Sequence, residues 1–177
     1  AVSSSSASSL STSLACATAA LESASLDAGL VSRAVAVSSS GSCTSFIIHH
    51  YHKLLKDKPG LLQQLENQKQ HIYELSDFLV NVLHFNDFNA SFPHKVTYHD
   101  SCSALREYGI KNEPRELLSR VNGLQLIEME ECETCCGFGG TFAVKSPDIS
   151  AAMAEKKVQN ALASGAEYII STEASCL

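Results

Sequence analysis

From Lys95 onward the apolar and polar positions fall into blocks that predict strand, helix, strand, helix, strand. Lys95-Val96-Thr97-Tyr98-His99 reads as a strand, and Asp100-Ser101-Cys102 forms the turn after it. Pro114 opens a helix at its first position, which runs through Leu117 and Leu118 until Asn122-Gly123 stops it. Leu124 to Met129 is the next strand. Ser146 caps and Pro147 starts a helix whose stripe is Ile149, Met153, Val158 and Leu162, with Gly165 at its end. Tyr168-Ile169-Ile170 closes the series and runs into Ser171-Thr172-Glu173-Ala174-Ser175-Cys176. Strands and helices in this order make right-handed crossovers and a parallel sheet.

The pattern before Lys95 is less regular. Residues 1–13 have no usable period, and 17–32 are loosely helical through Leu21, Leu26 and Leu30. Ala34-Val35-Ala36-Val37 is a short buried strand ending in the turn Ser38 to Cys43. Ser42 then caps a helix over 43–57, with Phe46, Ile47, Tyr51, Leu54 and Leu55 on one face. Cys43 falls in its first turn, where the helix dipole favours thiolate. Pro59-Gly60 breaks the chain, and a longer helix covers 61–84 through Leu61, Leu65, Ile72, Leu75, Leu79, Val82 and Leu83. Residues 86–93 are a breaker-rich connection.

An echo links the halves. Aligned on their last cysteines, Val35–Cys43 and Tyr168–Cys176 are both apolar triplets leading to Ser-Cys, with Ser38 matching Ser171 and Ser42 matching Ser175. Cys16 is then the first half's remnant of the Cys135-Cys136 motif. The expected architecture is α/β: two pseudo-repeated βαβ halves, 1–86 and 87–177, with parallel strands and cysteines at the C-terminal strand edge. Within the first half, residues 1–37 are poorly defined.

Composition narrows the function classes. A net charge of −6 leaves no basic stripe to neutralise phosphates, so nucleic acid is not the expected partner. No apolar run approaches the ~20 residues of a membrane span. Residues 1–45 hold 16 serines and 10 alanines, with only Glu22, Asp27 and Arg33 charged. That matches neither the basic start of a signal peptide nor an arginine-rich transit peptide. The chain begins at Ala1 rather than Met and stops one residue after Cys176, so both ends read as incomplete. Seven cysteines, an odd number spread from Cys16 to Cys176, suit a reducing, cytoplasmic compartment better than a secreted disulfide framework.

The chemistry centres on Cys135-Cys136-Gly137-Phe138-Gly139-Gly140. Vicinal thiols rarely form a disulfide with each other, and the glycines let backbone N–H groups crowd round an anionic object such as an iron–sulfur cluster. Cys102, Cys135, Cys136 and Cys176 each lie just beyond a predicted strand's C-terminal end, and in a parallel sheet those ends share one edge, where ligands bind. Four thiolates are the usual complement of a cubane. Zinc, in an interaction module stabilised by the same cysteines, is the alternative. Cys132 precedes Cys135 with CxxC spacing, but without a second such pair it reads as a spectator. His49, His50 and His52 do not share a helical face and read as solvated. His99 and Asp100 are either partners tuning the cluster or ordinary strand-end polar residues. Glu128, Glu130, Glu131 and Glu133 read as a solvated edge and Lys145 as a surface lysine.

These residues resemble the cysteine-rich CCG domain family, shared by the cysteine-rich subunit of heterodisulfide reductases, glycolate oxidase iron–sulfur subunits and lactate utilization protein A, with the lactate utilization branch nearest. The stretches that carry it are Ser40-Gly41-Ser42-Cys43, Tyr73 to Leu79, Thr97 to Cys102, Cys135 to Phe142 and Ser171 to Leu177. The resemblance implies an iron–sulfur electron-transfer subunit of an L-lactate (2-hydroxy acid) oxidising complex. Its partners would be the other subunits of a lactate or glycolate oxidation complex, and its cofactor a 4Fe-4S cluster in each half. Catalysis of the heterodisulfide reductase type is the alternative within the family. Carried over residue by residue, Cys102, Cys135, Cys136 and Cys176 match the second half's ligands, and Cys43 the last cysteine of the first half. The first half has no cysteine pair, only Cys16 between Ala15 and Ala17, and Glu173 stands where some relatives have a further cysteine.

Overall fold

Two small parallel sheets carry the chain in the computed structural model, which describes residues 35–85 and 89–177. In chain order the elements are β1 (Ala36–Ser38), α1 (Gly41–Leu54), α2 (Pro59–Gln68), β2 (Ile72–Glu74) and α3 (Leu75–Asp77), which continues as a π-type turn over Phe78–Val82. Then come β3 (Lys95–Tyr98), a second π-type turn at Ala104–Tyr108, α4 (Asn112–Ser119), β4 (Gln125–Leu126), α5 (Thr141–Lys145), α6 (Pro147–Ala163) and β5 (Tyr168–Ile170). β1 pairs with β2, and β3 lies between β4 and β5; every pairing is parallel. The expected α/β plan with parallel strands is the observed one.

The repeat extends beyond the echo read from sequence. Ser38 Oγ accepts from Ser40 N at 3.2 Å, and its counterpart Ser171 Oγ accepts from Glu173 N at 3.3 Å. Ser40 and Glu173 both sit as caps, at φ −128°, ψ 115° and φ −127°, ψ 106°. Strand register carries the match onto the neighbours. Val37 pairs with Tyr73, and its counterpart Ile170 pairs with Tyr98. Tyr73-Glu74-Leu75-Ser76-Asp77 therefore lies in the places of Tyr98-His99-Asp100-Ser101-Cys102. A carboxylate, Asp77, occupies the first half's equivalent of Cys102.

The expected helix over 61–84 is broken by β2. Leu61, Leu65, Ile72, Leu75 and Leu79 keep helical spacing, but Ile72 and Tyr73 are strand formers whose backbone satisfies β1. Glu74 then starts α3 by accepting from Ser76 N at 2.6 Å and Asp77 N at 3.3 Å. α1 begins at Gly41, capped by Ser40 rather than Ser42, since Ser40 Oγ is the acceptor for Cys43 N. Pro114 is the third residue of α4, not its first, and β4 is shorter than the predicted strand. The readings at Cys16 and at residues 17–32 lie outside the described residues.

The core gathers on β3 and what covers it. Val96, Tyr98, Ala104, Ile110, Met129 and Ala161 are its buried apolar side chains. Full burial of side chains such as Val96 contributes about 1.5–3 kcal/mol each. α1 approaches the Ala104 turn through Gly41, where a Cβ would meet Ala104 Cβ at 2.4 Å. α6 presents an unexpected face. Ile149, Val158 and Leu162 of its predicted stripe are exposed, whereas Lys157, Asn160 and Ala161 are buried. The inner polar pair answers the irregular backbone after β4, whose carbonyls need donors. Among the described residues, no helix is long and apolar enough to cross a membrane.

Candidate metal centre

β3 delivers its last residues into the interior. Thr97, His99, Asp100 and Ser101 are all buried. Asp100 is held by a forked pair of bonds from Arg115 on α4, at 2.9 and 2.7 Å, and its N–H donates to the Cys132 carbonyl. Arg115 also binds Glu128 and lies over the Tyr98 ring at 4.9 Å. These contacts fix the turn that presents Cys102 two residues later.

The segment after β4 is shaped by donors from α6. Lys157 Nζ donates to the Glu131 carbonyl at 2.5 Å, and Asn160 Nδ2 to the Glu130 carbonyl at 3.0 Å. Glu131 itself takes a left-handed φ of 54°, a conformation that such tethers hold in place. Cys135 and Cys136 follow, and Gly137 N donates to Cys135 Sγ at 3.4 Å. Gly137 has φ +90°, and a Cβ there would lie 2.6 Å from the Ser150 carbonyl oxygen. Only glycine lets the loop come so close to α6. Ser150 Oγ closes the contact on the Gly137 carbonyl at 2.8 Å.

The third sulfur source is the turn after β5. Glu173, buried, accepts from Ser40 Oγ at 3.1 Å and from Ser42 N at 3.1 Å, so the rim of the second half is pinned to the start of α1. Cys176 N bonds the Glu173 carbonyl at 3.0 Å. Three residues before Cys176, the turn is thus held by a structural carboxylate.

Cys102, Cys135, Cys136 and Cys176 line one cavity of about 190 Å³, with Gly139, Gly140 and Glu173 on its wall. Three strand ends thus meet at one edge. Burial lifts the Cys102 thiol above its ordinary range, and neighbouring Cys135 adds to the shift. Cys176 is pushed up to about 12 by burial first and then by Cys136 and Cys102. Such thiols cannot ionise together unless a cation lies among them. Beyond Cys136 and Cys176, a ring nitrogen of His99 lies with their sulfurs inside a 4.8 Å triangle. His99 Nδ1 bonds the Cys132 carbonyl at 3.2 Å, and Nε2 is buried without a partner. The donor set and this orphaned nitrogen fit a thiophilic metal group.

The remaining sequence candidates lie elsewhere. Cys43 is exposed on α1 and does not line the cavity. Cys16 is outside the described residues. Cys132 contributes its backbone carbonyl, to His99, Asp100 and Lys157, rather than its sulfur to the cavity wall. Lys145 is exposed, whereas Lys157 is the buried cation near the thiols, its pKa lowered by burial against the pull of Cys132 and Glu131. Its signal in the sequence is the spacing Ile149, Met153, Lys157, Ala161, four residues apart on one helical face.

Residues 96–177 match a family described as the CCG cysteine-rich domain. The chain is 42% identical over 141 residues to lactate utilization protein A 2 of Bacillus cereus, an alignment covering 80% of this chain and 58% of that protein. It is 43% identical to lactate utilization protein A of an Exiguobacterium species, covering 80% and 57%, and 40% identical to lactate utilization protein A 2 of Bacillus anthracis, covering 80% and 58%. The chain therefore spans less than three fifths of the length of these relatives.

Proposed function

We propose that this chain, whose residues 96–177 match the CCG cysteine-rich domain family, is an iron–sulfur electron-transfer subunit of a complex that oxidises L-lactate or a related 2-hydroxy acid. The observation that carries the reading is the meeting of four thiols, from three separated segments, on one cavity. Cys102, Cys135, Cys136 and Cys176 would hold a 4Fe-4S cluster, which supplies one-electron transfer. The chain's own groups prepare that site. Asp100 and Arg115 fix the Cys102 turn, Glu173 fixes the Cys176 turn, and the Lys157 ammonium offsets negative charge gathered on the sulfurs. The other subunits of the complex are its partners, in the cytoplasm.

Anaerobic purification with iron, sulfide and zinc analysis tests this. Iron with matching sulfide, absorption near ~400 nm and an EPR signal on reduction support it. Cys136→Ser should lose the iron and Cys132→Ser should keep it; equal behaviour refutes the ligand assignment. A zinc-stabilised module is the second reading, favoured by the nitrogen that His99 adds beside two sulfurs. A colourless protein with stoichiometric zinc would establish it instead.

A further inference from the structure

The four thiols leave one buried donor unexplained. His99 is 1% exposed, and its Nε2 has no hydrogen-bond partner. An imidazole nitrogen buried without a partner is costly, so what it meets in the working protein is a question with a definite answer. A carbonyl only accepts, so the Nδ1 contact to the Cys132 carbonyl at 3.2 Å assigns the ring hydrogen to Nδ1. Nε2 of the neutral ring then presents a lone pair. The same carbonyl takes a donor from Lys157 Nζ at 3.4 Å and from Asp100 N at 3.2 Å, which holds it in place and fixes the ring's orientation. A second cavity, of about 160 Å³, lies against His99, Cys136 and Cys176.

A ring nitrogen of His99 lies within 4.8 Å of the Cys136 and Cys176 sulfurs, and a lone pair there can accept an S–H. Once those sulfurs are thiolates bound to metal they offer no hydrogen, and two lone pairs would face each other. A metal ion at the sulfurs removes the conflict, because the nitrogen then becomes a donor to it. Fixing one ring nitrogen on a backbone carbonyl while the other binds metal is the usual arrangement of ligating histidines.

We infer that His99 is a nitrogen ligand of the metal centre, in place of one of the thiolates of Cys102 and Cys135, so that the centre held by Cys136 and Cys176 has a mixed sulfur and nitrogen donor set. The inference rests on the iron–sulfur reading above and changes one ligand of its set. Imidazole in place of thiolate removes a negative charge from the ligand set and raises the reduction potential. The first half's Glu74, which occupies the position equivalent to His99, serves differently, since its carboxylate is spent on the backbone of α3.

The test uses the wild-type chain, grown with ¹⁵N-histidine and reconstituted anaerobically with ferrous iron and sulfide. Pulsed EPR of the reduced protein should show the coupling of a directly bonded ¹⁵N. His99→Cys should abolish that coupling at unchanged iron content and lower the reduction potential. A fully loaded cluster without histidine coupling overturns the inference and leaves the cluster reading standing. So does coupling that survives in His99→Cys. A chain that takes up no iron and sulfide overturns both.

Discussion

Replacing Arg115 by Met should cost this protein a large part of its stability. The guanidinium uses all its donors: Nε and one Nη2 hydrogen on Glu128, the other Nη2 hydrogen and one Nη1 hydrogen on Asp100, and the last on the Lys111 carbonyl. The Asp100 side chain is 2% exposed and that of Arg115 18%, so the Asp100 pair is buried while Glu128, at 45%, is a surface partner. Breaking a buried pair from one side strands a charge, at about 3–5 kcal/mol, whereas the Glu128 contact is worth at most ~1 kcal/mol. Against a total of about 5–15 kcal/mol that is a severe loss. Urea unfolding of the metal-free protein reads it directly. With a slope of about 2 kcal/mol/M, the midpoint should fall by roughly 2 M at constant slope. Arg115→Lys should recover only part, because an ammonium cannot make the forked contact. Adding Asp100→Asn to Arg115→Met should restore about 0.5–3 kcal/mol, since no uncompensated charge is then buried. A loss under about 1 kcal/mol for Arg115→Met alone would refute the reasoning, since only a surface pair is worth so little.

Four further outcomes follow from the site. Gly137→Ala should cost about 1–2 kcal/mol for its left-handed backbone and about 1–3 more for the collision with Ser150 and Met153, and should lower iron content. Gly140→Ala, at φ +53° with nothing within 4 Å of the added Cβ, should carry only the backbone cost, as paired thermal melts would reveal. Glu173→Ala should lose about 1.5–3 kcal/mol by leaving Ser40 Oγ and Ser42 N without their acceptor, with Glu173→Gln milder in the same denaturation assay. The metal-free protein should weaken in alkali. Cys176 is raised from 9.0 to about 12, so its proton is held more tightly in the fold than in the unfolded chain. Its contribution is intact below pH 9.0 and is lost as pH climbs towards 12, with Tyr98, raised from 10.0 to about 12, adding to the fall. Urea midpoints at rising pH check this, and Cys176→Ser should flatten the profile.

How much of this is legible in the sequence depends on the distance over which each feature is specified. β3 and β5 announce themselves through local pattern, and the cysteines after them follow from parallel topology. β2 does not, because Leu65, Ile72, Leu75 and Leu79 keep helical spacing, and what makes Ile72 to Glu74 a strand is β1, over thirty residues away. The inner face of α6 escapes the pattern for a similar reason. Lys157 and Asn160 are buried because carbonyls of residues 130 to 132 require donors, a demand that no hydropathy pattern encodes. Asp100 and His99 are visible as residues flanking Cys102, but their jobs are set by Arg115 and by the Cys132 carbonyl, remote partners that only folding brings near.

The carboxylate of Glu173 gives the sulfur-bearing turn a mechanical link to the other sheet's helix. Tension applied along α1 travels through Ser40 and Ser42 into a turn whose next anchored atom is the amide of Cys176. The start of α1 and the Cys176 turn are thereby held at a fixed distance from each other.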